Sequence, residues 1–306
     1  MLIINCIVPV FLIIAIGFFL NYKGIIEDKI KGFMNNLAYY LILPAMIFDS
    51  IYKVPFKESF DPRIIAGLYA VSFTVFFCGI LMAHGFAAEK KGAFVNSILR
   101  SNIAYIGFPI VYSLYGTHGL ARLSVVTGFV APIGIGLSVL YLNFLNKKNA
   151  QKESIAAIFL KDPLIITCII ALLISYFEIK IPVAASNTIG LLGMMGSPLM
   201  LLAVGAGLNL SVIHKDRLLL ALSAFIKLLI VPLLSLIIFT YIIPITEKEA
   251  LGVAVLTYCF PSALSTHVLV KKYGSDHEFS AASITVSTVL SMLTISMWIY
   301  VVSSIQ

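Results

Sequence analysis

The sequence predicts an all-α polytopic membrane protein of ten transmembrane helices, arranged as two inverted five-helix repeats with broken helices at the fourth and ninth positions. Three observations predict it: an apolar composition, ten apolar runs of spanning length, and prolines that recur at a near-constant offset between the two halves. Of 306 residues, 60% are hydrophobic and 11% charged, and the mean hydropathy is +1.03. Soluble domains hold about 45–50% apolar and about 25% charged residues. The composition therefore excludes a soluble globular enzyme and a disordered chain. At roughly 20 residues per crossing, ten spans take about 200 residues and leave only short connections.

The apolar runs, bounded by charges or turn residues, cover 2–22, 32–51, 63–84, 93–115, 119–146, 160–178, 184–209, 217–243, 249–270 and 277–304. With the amino terminus outside, the odd-numbered connections face the cytoplasm. They hold Lys23, Lys29, Lys31, Lys90, Lys91, Lys147, Lys148, Lys152, Lys161, Lys215, Arg217, Lys271 and Lys272, thirteen basic residues in all. The even-numbered connections hold six: Lys53, Lys57, Arg63, Arg122, Lys180 and Lys248. The positive-inside rule then places both termini outside a cell membrane, plasma or inner. Arg100 and Lys227 are left over, and both lie within spans.

A net charge of +7 would suit nucleic acid in a soluble chain, but here it orients loops against the lipid bilayer, and no nucleic-acid partner is expected. Cys6, Cys78, Cys168 and Cys259 fall inside apolar runs without metal-ligand spacing and read as small buried hydrophobes. The first twenty residues lack a basic leader and a small-residue cleavage site, so they read as a retained first helix.

The most polar connection, 146-NKKNAQKES-154, lies near the midpoint of the chain. It divides the sequence into a first repeat at 1–146, a short cytoplasmic linker at 147–159 and a second repeat at 160–306. Pro9 and Pro163, Pro44 and Pro198, and Arg63 and Arg217 match at an offset of 154, and Pro109 and Pro261 at 152. Five helices per unit is an odd number, so the second unit enters the membrane inverted, as in many secondary transporters. Chance recurrence of prolines is the other reading of the same spacing.

Two spans break the apolar rule at corresponding positions. The fourth contains 100-RSNIAYIGFPIVYSLYG-116 and the ninth 257-TYCFPSALSTHVLVKKYG-274. A proline removes a backbone donor and collides with the preceding turn, so each span is expected to kink or unwind just before Pro109 and Pro261. Freed backbone groups are tolerated in a membrane only where they face protein or a water-filled cavity, so paired breaks point to a midplane binding site. Half-helices beginning at Pro109 and Pro261 would aim amino-terminal ends, which favour anions, at the membrane centre.

Arg100 and Lys227 add positive charge, while no carboxylate lies near the middle of a span. The candidate substrate-binding residues are Arg100, Ser101, Asn102, Gly107, Pro109, Lys227, Pro261, Ser262, Ser265 and His267. Several have a second reading. Arg100 can snorkel to the interface, whereas a charge near mid-span is expensive, so Lys227 reads as functional or as part of an obligatory ion pair. Asn102 can bond a neighbouring helix, His267 can be a satisfied buried imidazole, and Ser262, Ser265 and Thr266 can bond their own helix. No zinc motif, Walker-type loop or paired intramembrane carboxylates occur, so neither a catalytic residue nor a metal or cofactor is expected, and transport would draw on gradients.

The segments 37-LAYYLILPAMIFDSI-51, 101-SNIAYIGFPIVYSLYG-116, 197-SPLMLLAVGAGLNLS-211 and 260-FPSALSTHVLVKKYGSD-276 resemble the auxin efflux carrier family, which includes bacterial malate permease-like carriers and the plant PIN exporters. The resemblance covers nearly the whole chain. It implies a fold similar to the bile acid sodium symporters, with helices 4 and 9 crossing at their prolines beside the substrate, a homodimer and an elevator-like motion. Asn102 and Pro109 match the first crossover and Pro261 the second, with Ser262 and Ser265 nearby. The long cytoplasmic loop of many plant members is absent, so a prokaryotic-type member is expected and auxin is not its expected substrate. The acidic residues that plant members carry near the crossover have no clear match, so the resemblance assigns no coupling ion. The expected function is a secondary carrier of small organic anions, mono- or dicarboxylates such as malate or malonate, working by alternating access. The alternatives are a ligand-binding membrane sensor without transport and an intramembrane enzyme.

Overall fold

The structure, a computed structural model, describes residues 2–146, 161–214 and 216–305. The linker at 147–159, with Lys147, Lys148 and Lys152 of the charge pattern, and Lys215 lie outside the described residues. Among the described residues every regular element is helical, and the β feature is one isolated antiparallel bridge between Ser101 and Ser262.

In chain order the helices are α1 (Leu2–Tyr22), α2 (Asp28–Leu37), α3 (Leu43–Tyr52), α4 (Phe56–Ser59), α5 (Pro62–Met82), α6 (Ala88–Leu99), α7 (Phe108–Leu145), α8 (Pro163–Tyr176), α9 (Val183–Met194), α10 (Gly196–Gly207), α11 (Arg217–Phe225), α12 (Val231–Ile237), α13 (Lys248–Cys259), α14 (Leu264–Lys272) and α15 (His277–Ser304). Among the described residues six stretches are long and apolar enough to cross a membrane: Asn5–Tyr22, Phe56–Gly85, Ile103–Leu145, Val183–Gly207, Arg217–Ile242 and His277–Ser304. α8 is a shorter apolar helix. Large apolar side chains such as Leu81, Leu218 and Leu293 are exposed, as a lipid-facing exterior requires.

The 43-residue stretch Ile103–Leu145 would measure about 65 Å if straight, twice a bilayer core of about 30 Å. It turns at Gly116, whose φ of 63° and ψ of −150° suit only a residue without a Cβ.

Among the described residues four π-helical turns occur: Ala38–Ile42 and Ile226–Ile230 lie between α-helical segments, Ile103–Gly107 opens a helix and Ile238–Ile242 closes one. Each ends two residues before a proline: Pro44, Pro109, Pro232 and Pro244. The cause is local. A proline has no N–H to give to the carbonyl four residues back, and its ring crowds that carbonyl, so one widened turn relieves both conflicts.

This corrects the expectation for Pro109. The chain does not break at that proline, because the turn Ile103–Gly107 absorbs it. The interruption lies at 100–102, between α6 and that turn. In the ninth span the interruption includes Pro261, but the following helix begins at Leu264 and not at Pro261. A second correction concerns cysteine: Cys6, Cys168 and Cys259 are buried, but Cys78 is exposed.

The chain forms two compact units, each drawn from both halves of the sequence. One comprises Met1–Pro62, Ala104–Phe129 and Ala156–Gly207, the other Arg63–Ile103, Val130–Ile155 and Leu208–Gln306. In the first unit α1 packs on α10 with backbone against backbone. A Cβ on Gly17 would strike the Leu202 carbonyl, and one on Gly205 would strike that of Ile14. Such small residues let helices approach closely where lipid offers no hydrophobic drive. Polar ties join its segments as well: Tyr39 donates to Asp162 at 2.6 Å, and the buried Ser50 and Ser124 hydroxyls lie 2.9 Å apart.

In the second unit the Tyr258 hydroxyl donates to the Leu68 carbonyl at 2.6 Å and meets Ser72 at 2.6 Å, while Trp298 donates to the Leu228 carbonyl at 2.8 Å. These bonds fasten the helices around the ninth span. Gly205→Leu is expected to destabilise the first unit by about 1–3 kcal/mol or more through overpacking. Thermal unfolding in detergent checks this, and an unchanged midpoint would contradict the close approach.

Candidate functional site

The second unit contains both interruptions, and they meet. α6 ends at Leu99, and Arg100 is extended, with φ −96° and ψ 120°. α13 ends at Cys259, and Phe260 is extended, with φ −73° and ψ 147°. The freed backbone groups bond each other: Asn102 N–H donates to the Pro261 carbonyl at 2.7 Å, and Ala263 N–H donates to the Arg100 carbonyl at 3.0 Å. Ser101 and Ser262 sit opposite one another in this two-stranded crossing. Without the exchange, backbone groups sealed from water would each cost several kcal/mol.

Extended backbone sends successive side chains to opposite faces. On one face Ser262 donates to the Ser97 carbonyl at 2.6 Å, and Ser101 accepts from Lys227 Nζ at 2.6 Å. Lys227 comes from the π turn Ile226–Ile230 and is fully buried, with Nζ 6.0 Å from the centre of the Tyr258 ring. On the other face lie Arg100 and Asn102. Arg100 donates to Ser265, on the first turn of α14, at 2.9 Å.

Asn102 is only 3% exposed, and its side-chain Nδ2 has no hydrogen-bond partner. A buried amide donor left unpaired costs about 1–3 kcal/mol, so its retention calls for a physical reason. Immediately beyond Asn102 the turn Ile103–Gly107 begins, and beyond Ala263 α14 begins. The first amides of α14 lack intrahelical acceptors, so this face offers N–H donors from a helix start beside one amide and one guanidinium. Its chemistry suits a carboxylate.

The structure thus gathers Arg100, Ser101, Asn102, Lys227, Pro261, Ser262 and Ser265. It does not bring His267 into the group: its Nδ1 lies 3.0 Å from the His277 carbonyl, and the two imidazoles are 5.9 Å apart. Gly107 and Pro109 are buried in the first unit. Residue-by-residue reading of the sequence missed Ser97, Tyr258 and a row of buried hydroxyls on α15. That row, Ser280, Ser283, Ser287 and Ser291, is spaced three to four residues apart, and this helical period was a signal present in the sequence.

A family model described as membrane transport protein matches residues 2–160 and 155–299. The chain belongs to that family, the auxin efflux carriers. An uncharacterised transporter of Methanocaldococcus jannaschii is 25% identical over 304 residues, covering 94% of this chain and 95% of that protein. The uncharacterised transporter YfdV of Escherichia coli is 26% identical over 311 residues, covering 97% of each. A Rhizobium meliloti protein carrying the name of a candidate malonate transporter is 22% identical over 319 residues, covering 97% of this chain and 95% of its own.

Asn102→Ala is expected to change unfolding stability by less than about 1 kcal/mol, because it removes a donor with no protein partner. Ser262→Ala leaves the Ser97 carbonyl without its donor and should cost about 1–2 kcal/mol. Comparing thermal unfolding of the two variants checks this, and a larger loss for Asn102→Ala would contradict the assignment of its amide as unpaired.

Proposed function

We propose that this membrane transporter is a secondary carrier of small organic anions, mono- or dicarboxylates, and that the anion binds on the Arg100–Asn102 face of the crossing. The observation that carries this reading is the buried Asn102 amide with no partner, set where two interrupted helices begin again. Arg100 supplies the full positive charge, the start of α14 supplies partial charge, and Asn102 fixes orientation with a donor that no other protein group claims. A relative named for malonate supports a short dicarboxylate as the first probe.

The architecture proposed is ten crossings. Six long stretches supply seven, since Ile103–Leu145 reverses at Gly116 and its first arm continues the span begun by α6. α2 with α3, α8, and α13 with α14 supply the other three. The two halves of the sequence are read as inverted repeats, with both termini outside. Each compact unit draws on both halves, which supports intertwined repeats. Alternating access then exposes the crossing first to one side of the membrane and then to the other.

The test is counterflow of labelled malonate, with succinate, malate and lactate as competitors, in vesicles holding purified protein. Wild type is expected to exchange at least one of these acids. Asn102→Ala is expected to lose at least about tenfold in rate, the equivalent of one charge-assisted hydrogen bond. Unaltered exchange by Asn102→Ala would refute the site assignment, and binding without flux would favour a sensor.

A further inference from the structure

Behind the crossing, on the face away from Asn102, lies a polar interior that anion binding does not use. Lys227 is its centre: fully buried, with Nζ on Ser101 Oγ and facing the Tyr258 ring. Among the described residues no carboxylate lies within ion-pair distance of it. The titratable and charged groups on the packed elements are few. α13 contributes Tyr258 and the buried Cys259, with Lys248 and Glu249 at its far end. On α6, Glu89, Lys90 and Lys91 occupy the first turn, about 12 Å along the helix from Ser97. Arg100 points to Ser265 across the strand, and His277 and Glu278 open α15.

Hydroxyls line the approach to this lysine. Ser223 lies one turn before Lys227 on the same helix face, and its hydroxyl is 3.3 Å from that of Ser283. Ser283 continues along α15 to Ser280 on one side and to Ser287 on the other, and Ser287 accepts from the Ser262 N–H at 3.2 Å. All four side chains are buried. Ser280 Oγ and Thr288 Oγ1 have no hydrogen-bond partner. Buried polar atoms without protein partners are where internal water is held. The row therefore marks a polar track from the start of α15 to the lysine.

We propose that Lys227 is the proton site of the carrier: a neutral amine when the anion site is empty and an ammonium when it is filled, so that one proton accompanies one negative charge. The proposal rests on the carboxylate reading of the Arg100–Asn102 face. An ammonium stripped of water and lacking a counter-charge is expensive to maintain. A carboxylate seated across one extended strand supplies the missing charge in a medium of low dielectric. The amine lone pair takes H⁺ from hydronium, leaving water, and returns it when the anion departs. Linkage gives the sign: between the midpoint of amine protonation in the empty carrier and the higher midpoint in the loaded one, each pH unit weakens anion binding about tenfold.

The experiment is calorimetric titration of purified wild-type protein with acetate, malonate, succinate and malate, in phosphate and in Tris. The difference in heat between the two buffers counts protons taken up. Uptake approaching one proton per anion is expected, at a pH where the acid itself is fully ionised. Lys227→Arg, whose guanidinium stays charged, is expected to take up none. Ser101→Ala, which removes only the hydroxyl that Nζ holds, serves if the arginine variant does not fold, and should move the pH midpoint of affinity. Anion binding with no proton uptake and no pH slope overturns the proposal and leaves the anion site standing, as does full uptake by Lys227→Arg. If none of the four acids binds, the carboxylate reading falls and the proposal falls with it.

Discussion

Two backbone hydrogen bonds hold the centre of the second unit together, from Asn102 to Pro261 and from Ala263 to Arg100. A helix interrupted inside a membrane exposes donors and acceptors that lipid cannot satisfy. Here the two interrupted spans satisfy each other, which fixes their register. With Ser101 opposite Ser262, the alternation of extended backbone sorts every neighbouring side chain to one face or the other. Asn102 and Arg100 fall on one face, Ser97, Ser262 and Lys227 on the other. The separation of the Asn102 amide from the buried Lys227 side chain follows from that register.

Proline shapes this architecture in two distinct ways. Four prolines follow a π turn that ends two residues earlier; at Pro44, Pro109 and Pro232 the helix continues past the proline, whereas at Pro244 it ends. Pro261 instead lies within extended backbone, between the end of α13 and the start of α14. The difference lies in what satisfies the freed groups. At Pro109 the chain closes the deficit locally, whereas the carbonyl of Pro261 finds its donor in Asn102 of another span. A partner across space permits a true break, and where none exists the helix adapts.

This explains how far the sequence could be read. The apolar runs, the polar company of the fourth and ninth spans, and the kink at Gly116 are local properties of composition and spacing, and they are visible in the letters. The place of the first break is not: it falls at Arg100–Asn102, seven residues before the proline that draws attention, because its position is set by pairing with residues more than 150 positions away. Lys227 was conspicuous as a charge in an apolar span, but its enclosure behind Ser101 depends on the three-dimensional register. The hydroxyl row on α15 was legible by period, yet serine and threonine so often bond their own helix that spacing alone does not distinguish a polar track from a bland face.

The central claim is that the unpaired amide of Asn102, presented at a crossing of two helix starts, is an anion's binding point. A structure determined by electron cryo-microscopy with saturating malonate tests it most directly. The account predicts density for one carboxylate within hydrogen-bonding distance of Asn102 Nδ2, on the face that carries Arg100. A bound carboxylate located elsewhere in the protein, with the Asn102 amide still unengaged, would contradict it.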